Sequence, residues 1–410
     1  MPDRTDFPTI EQKWVTYNGV LCSAMELPDG NVSPDSILRC SVSLCDPVTS
    51  VISVSVTSVA VASVSVGSVI SGTITPLPPL PLTLAMADYD RTAALRDGSV
   101  KPAGIDLTYV VSPPSETFWR MLKFDEFDVA EMSLSSLLIV REQRRTWTAI
   151  PVFPFRAFFH TYVFVRADSA IRQPSDLAGA RFGLPEYQMT AAVWTRGVLQ
   201  HDFGVPPSAM RWFVERTPAM SHGGQTGFTA PEGVSIERVP EGETLLALLE
   251  HGALDAVMPS PYGGMTSRLN KTYVADLVHS PRARLLFEDP MAESVRAFRA
   301  HGFSHINHTV VVQNRVLEKH PWVALNLYNA FSAAKQQCYG QIDYLLRSSL
   351  MPAFPVLEVQ RRTFGDDPFP YGLANNRQAL VSLAEYAHEQ GLVTARSRID
   401  DLFAAATRDT

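Results

Sequence analysis

The chain has no basic run. Its 410 residues carry 35 Lys and Arg against 42 Asp and Glu, a formal net charge of −7, so nucleic acid finds no electrostatic footprint. Cysteine is scarce, at four in the chain. Cys40 and Cys45 are not a CxxC pair and Cys338 lies in a helical pattern, so a disulfide framework is excluded and a reducing, cytoplasmic setting is expected. The motifs GxGxxG, GxxxxGK[ST], HExxH and GxSxG are all missing, which removes support for nucleotide, P-loop, zincin and α/β-hydrolase readings. Met1-Pro-Asp-Arg-Thr-Asp6 lacks the charged-then-apolar plan of a secretory signal. Residues 51–72 alternate Val with Ser and Thr; that period of two is strand-like, and the hydroxyls argue against a membrane-spanning helix.

What is present divides into two textures. Residues 1–80 combine the Val/Ser run with a proline-rich linker, Pro76-Leu-Pro-Pro-Leu-Pro-Leu82, and read as a poorly ordered extension. Beyond them strands alternate with helices. Strands are expected at 82–87, 105–111, 127–132, 149–153, 159–165, 181–184, 235–239, 254–258 and 306–312. Helices are expected at 115–123, 133–140, from 190 onward, and at 244–250, 321–344, 376–390 and 397–406. This alternation implies α/β architecture with mainly parallel sheets flanked by helices. Two such runs suggest two lobes, residues 81–165 with 306–410 and residues 166–305, with a ligand cleft between them.

In open α/β sheets a ligand sits beyond the carboxyl ends of the strands. The junction Gly183-Leu-Pro-Glu-Tyr-Gln-Met-Thr-Ala-Ala-Val-Trp-Thr-Arg-Gly197 is such a place. Thr190 reads as the N-cap of a helix whose start would hold a carboxylate over Gln188, Met189 and Thr190, with Tyr187 a further candidate for substrate binding and Arg196 one to two turns on. Arg156 offers a planar fork for a carboxylate, and His160 could carry protons near neutral pH. His305 and His308 lie three apart on a strand and so point to opposite faces, which places one of them in the cleft. Glu131 and Ser133 end a strand, and Arg120 lies on a helix that could line the cleft. His160, His308 and Glu131 are candidate metal ligands, but their spacing is not diagnostic, and no cofactor is expected.

The blocks Phe118-Trp-Arg-Met121, Phe127-Asp-Val-Ala-Glu-Met-Ser133, Pro151-Val-Phe-Pro-Phe-Arg-Ala-Phe-Phe-His160, Pro185-Glu-Tyr-Gln-Met-Thr-Ala-Ala-Val-Trp194, His305-Ile-Asn-His308 and Asp367-Pro-Phe-Pro-Tyr-Gly-Leu-Ala-Asn-Asn-Arg377 together resemble the 4,5-dihydroxyphthalate decarboxylase family, in order, from about residue 82 to the end. The resemblance implies a fold similar to type II periplasmic-binding proteins, and non-oxidative loss of CO2 from a hydroxylated aromatic acid. Residues 303–307, the 216–231 loop and the loop from Ser260 depart from the family pattern and leave the exact substrate open.

For that chemistry an acid protonates the ring carbon bearing the carboxylate, and a ring hydroxyl supplies electrons. His308 or His160 is the expected donor, with Glu131 or the other histidine taking the hydroxyl proton. Arg156, Arg196 and the helix start at Thr190 would hold carboxylate. The partner is then a small aromatic carboxylate, with neither nucleic acid nor membrane involved; homo-oligomerisation is left open because no residue pattern marks an interface. The alternative is a non-catalytic solute-binding protein for a small aromatic carboxylate.

Overall fold

The computed structural model describes residues 12–17, 20–25, 78–143, 146–261, 267–347 and 354–410. The chain divides into two units, residues 1–78 and 79–410. In the first, β1 (Gln12–Tyr17) and β2 (Val20–Met25) form an antiparallel pair. The expected disorder of 1–80 and the strand-like reading of 51–72 otherwise fall outside the described residues.

The second unit holds two sheets. One contains β3 (Leu80–Met86), β4 (Ile105–Val111), β5 (Val129–Ser133), β6 (Trp147–Ile150) and, from far along the chain, β13 (His308–Gln313), in the order β4-β3-β5-β13-β6. The other contains β7 (Phe164–Arg166), β8 (Arg181–Leu184), β9 (Arg211–Val214), β10 (Ser235–Arg238), β11 (Ala256–Val257) and β12 (Ala283–Leu285), in the order β10-β9-β8-β11-β7-β12. The cores β4-β3-β5 and β10-β9-β8-β11 are parallel. β13 and β7 run antiparallel to their neighbours, because they are the strands by which the chain leaves and re-enters each lobe. All five residues of β5 and all six of β13 are buried, as expected for strands covered on both faces.

One aspartate pins each sheet. Asp128 accepts the Thr83 backbone N–H and hydroxyl, both at 2.9 Å, and so locks β3 beside β5. Asp255 accepts from the Arg181 N–H and guanidinium at 2.7–2.9 Å and locks β8 beside β11. The two crossing segments pair with each other: Asn307 N–H donates to the Phe155 carbonyl at 2.9 Å, and Ala157 N–H to that of His305 at 3.2 Å. Trp194 of helix Thr190–Phe203 bonds the Ile306 carbonyl and stacks on His305, anchoring this hinge.

Two expectations fail locally. Residues 159–162 form a 3-10 turn, and strand begins only at Phe164, since the backbone is still turning between lobes. The helix expected at 397–406 is replaced by two 3-10 turns, Ile399–Asp401 and Ala405–Thr407. Between them the chain bonds Ala149 through Leu402 and Ala404 and covers the edge of β6, which would otherwise present unpaired backbone groups. Helix Trp322–Arg347 and helix Arg377–Glu389 form near their expected positions.

Helix Arg377–Glu389 approaches helix Thr190–Phe203 at Gly197. A Cβ there would meet the Tyr386 ring at 2.1–2.7 Å. Gly→Ala in a free helix gains about 1 kcal/mol, whereas overpacking costs about 1–3 kcal/mol. Gly197→Ala is therefore expected to lower stability in denaturant titration; a gain would show that the ring is not fixed.

Candidate active site

Register creates the centre of the site. β13 runs antiparallel to β5 with His308 opposite Ser133 and Val310 opposite Glu131. Opposite residues share a face and diagonal neighbours are within reach of long side chains, so His308 meets Glu131. Its Nδ1 lies 2.5 Å from Glu131 Oε1. That oxygen also accepts the Tyr89 hydroxyl at 2.7 Å, and Oε2 accepts the Ala87 N–H at 3.1 Å. On the other side of the ring, the Asn307 amide Nδ2 is 3.0 Å from His308 Nε2. The Glu131 carboxylate at Nδ1 can only accept, so in the neutral ring Nδ1 carries the hydrogen and Nε2 the lone pair. Phe118 and Phe155 pack against the imidazole. Burial lowers the pKa of His308 against the opposing pull of Glu131, and burial with the Glu131 charge holds Tyr89 protonated.

A second buried network faces this pair from the other lobe. Glu186 accepts from Arg216 Nη1 at 2.7 Å, from the Gly223 N–H at 2.7 Å and from the Ser221 hydroxyl. Arg216 also donates to Asn270 Oδ1, at 3.0 Å from Nε and 2.8 Å from Nη2. Asn270 donates to the Ser115 hydroxyl at 3.1 Å. His222 Nε2 donates to the Ser115 carbonyl at 2.9 Å, leaving Nδ1 to accept from Arg216 at 3.1 Å. Burial first, then Arg216, lowers the pKa of His222 to about 4. Burial pushes the Glu186 carboxyl up, but the Arg216 charge and the hydrogen bonds from the Gly223 N–H and the Ser221 hydroxyl outweigh it, and its pKa is lowered.

Between the two networks is a cavity of about 30 Å³ lined by Ser133, Thr190, Arg216, His222, Asn307 and His308, among others. That volume holds roughly one water-sized guest, too small for an organic ligand unless the lobes part. Helix Pro114–Phe124 is joined to the second lobe by Ser115 with His222 and Asn270, by Glu116 with the Arg268 N–H at 2.8 Å, and by Trp119 with the Ala219 carbonyl at 3.0 Å.

Of the residues singled out in the sequence, the structure gathers His308, Glu131, Ser133 and Thr190. Thr190 is the first helical residue and Met189 the N-cap; the Thr190 hydroxyl bonds Ser133 and Ser135 at 2.8 and 3.0 Å and ties the lobes together. The others lie elsewhere. Arg156 follows Phe155 on a crossing strand and so faces away from His308, where it donates to Pro370 and Asn376. His160 bonds Glu293 Oε1 at 2.7 Å beside His305. Arg196 is six positions past Thr190, about 120° round the helix; it is buried over the Tyr187 ring and donates to Gln390. Tyr187 and Gln188 line an adjoining cavity of about 280 Å³ that shares Arg216 as a wall. Arg120 pairs with Glu126 at the surface. Among the described residues no three His, Cys, Asp or Glu side chains gather at metal-binding spacing.

Tyr89, Ser115, Arg216, His222, Asn270 and Asn307 were not singled out. A signal existed for two: Tyr89 follows β3 and Arg216 follows β9, both at carboxyl ends of parallel strands.

The chain is 33% identical over 340 residues to the 4,5-dihydroxyphthalate decarboxylase of Comamonas testosteroni, spanning 81% of this chain and 98% of that relative. It belongs to the 4,5-dihydroxyphthalate decarboxylase family. The Pseudomonas putida 4,5-dihydroxyphthalate decarboxylase is 34% identical over 230 residues, 55% of this chain and 84% of the relative. The family profile described as "ABC transporter, phosphonate, periplasmic substrate-binding protein" matches residues 91–258. The periplasmic aliphatic sulphonate binding protein SsuA of Escherichia coli is 13% identical, with a TM-score of 0.46 over 80% of this chain and 99% of that one. This chain has a periplasmic-binding-protein-like fold, in keeping with the family profile over residues 91–258 and with its two sheets joined by crossing strands.

The electrostatics have a measurable consequence. His222 is neutral in the fold, with its pKa lowered to about 4, and ordinary, near ~6.5, in the unfolded chain. Between those values the unfolded chain takes up a proton that the folded site refuses. Stability is complete above pH ~6.5 and falls as pH drops toward 4. His160, His305 and His308 are shifted in the same direction. The thermal midpoint is expected to fall across this window, and His222→Gln to lose part of that slope; a midpoint flat from pH 7 to 4.5 would contradict the assignment.

Proposed function

We propose that this chain is a carboxy-lyase that removes one carboxylate from 4,5-dihydroxyphthalate, or a closely similar hydroxylated aromatic acid, as CO2. The observation that carries this reading is a buried imidazole, held at Nδ1 by Glu131, facing a cavity whose far wall holds Arg216. Family membership supplies the substrate class.

In this reading Arg216 and the start of helix Thr190–Phe203 hold carboxylate, as a guanidinium fork and a helix N-terminus do. His308 takes a proton when the lobes are open and becomes an imidazolium paired with Glu131. Burial makes that imidazolium a stronger acid than a free one. After closure its Nε2–H passes to the ring carbon bearing the carboxylate. The para hydroxyl donates electrons into the ring and becomes carbonyl-like, its proton passing to Nδ1 of neutral His222, whose lone pair Arg216 releases when the guanidinium turns to the substrate carboxylate. The bond from ring to carboxylate then breaks, its electron pair restores the aromatic ring, and the carbonyl oxygen regains its proton. The balance is one aryl carboxylate and one proton giving one arene and CO2. His222 fills the role that the sequence offered to His160.

The ring hydroxyls act as the electron source, so the reading needs no cofactor. A cytoplasmic setting fits the reading, since few and scattered cysteines suit a reducing compartment. Incubation with 4,5-dihydroxyphthalate, followed by CO2 release and product mass, is expected to show turnover with and without chelator; binding without product would sink the reading. His308→Gln is expected to lower kcat by about 10²–10⁴-fold. As pH rises through the depressed pKa of His308, kcat/KM is expected to fall, because the acid form of the free enzyme disappears. A rise with pH over that range would make His308 a base instead.

A further inference from the structure

On the side of the crossing strands away from His308 lies another cavity, of about 280 Å³. Phe158 from the crossing segment, Met291 and Val295 from helix Pro290–His301, and Val359 and Phe364 from helix Phe354–Phe364 give it apolar walls. Arg156 lines it too.

Arg156 is 7% exposed. Its Nη2 donates to the Pro370 carbonyl and to the Asn376 side-chain oxygen, both neutral acceptors. Its Nε is buried and has no hydrogen-bond partner. Among the described residues no carboxylate lies within ion-pair distance of it. Asp367 acts on Arg156 electrostatically, but that carboxylate is already taken by Lys335 Nζ at 2.5 Å, the Tyr339 hydroxyl at 2.7 Å and the Phe369 N–H at 3.1 Å. Lys335 and Asp367 cancel, so the cluster keeps one uncompensated positive charge at the wall of an apolar cavity. Buried charges are ordinarily paired, and an unpaired one is costly. An anion bound in the cavity would supply the missing partner, and the cavity is close to the lower limit of size for small-molecule sites.

We propose that this cavity is a second ligand site, distinct from the reaction cavity, that takes an amphipathic monocarboxylate: the ring or short chain lies among Phe158, Val359 and Phe364, and the carboxylate sits on Arg156. The proposal does not depend on the decarboxylase reading. It uses neither His308 nor Arg216, and it fails or stands independently of turnover.

The test is ¹⁹F NMR titration of the full chain with 3-(4-fluorophenyl)propionate, with 3-(4-fluorophenyl)propan-1-ol as the uncharged control. Saturable binding of the acid is expected with Kd of about 5 mM or tighter, with the alcohol at least about tenfold weaker. Val359 is 41% exposed at the rim, so Val359→Trp fills the mouth without burdening the core. It should weaken the acid about tenfold or more and leave turnover within about twofold. Arg156→Met should abolish the preference for acid over alcohol. Absence of saturable binding, equal binding of acid and alcohol, or unchanged affinity in Val359→Trp would each overturn the proposal.

Discussion

The pairing of β13 with β5 is the constraint on which the rest of the site depends. His308 and Glu131 are 177 positions apart in the chain, and the antiparallel register of the two strands sets them diagonal to each other. A slip of one residue would turn every side chain of β13 to the other face and take His308 away from Glu131. The register is held at both ends: Val310, Val311 and Val312 are fully buried in the sheet, and the hinge bonds between residues 155–157 and 305–307 fix where β13 begins. The hinge and the dyad are thus one construction, so a lobe movement need not disturb the His308–Glu131 contact.

The charges are arranged asymmetrically across the cleft. The first lobe contributes a carboxylate that only supports the imidazole, since all its hydrogen bonds come from Ala87, Tyr89 and His308. The second lobe contributes a guanidinium braced by Glu186 and Asn270. The second-lobe network is completed from the first lobe, because Ser115 bonds both His222 and Asn270. In the proposed reaction, closure would bring His308 and Arg216 to one small space and remove water from it, which strengthens every electrostatic interaction there.

Much of the fold was legible in the sequence because its signals are local. The buried strand 129–133, the strand 105–111 and the long C-terminal helices carry their own periodicity and punctuation. Helix Pro290–His301 was missed although Asp289 caps it, Pro290 opens it and Gly302 closes it; the signals were there and the polar face hid them. The segment 397–406 misled because its helical composition serves an edge that only the tertiary structure creates. The site was legible in part. Alternation along a strand separated His308 from His305, and the strand-end rule marked Glu131, Ser133 and Thr190. The arginines were not resolvable this way: whether Arg156, Arg196 or Arg216 faces the cleft depends on crossing-strand direction and helix rotation, and no spacing in a single sequence encodes either.

The central claim is that the ring carbon losing CO2 sits against residue 308 while Arg216 holds a carboxylate. A crystal structure of the His308→Gln variant with 4,5-dihydroxyphthalate tests it directly. The account expects the ligand between the lobes, with the carboxylate-bearing carbon within contact distance of the side chain at position 308 and a carboxylate on the Arg216 guanidinium. A ligand bound in the cleft with its hydroxyl edge toward residue 308 and its carboxylates away from Arg216 would contradict it.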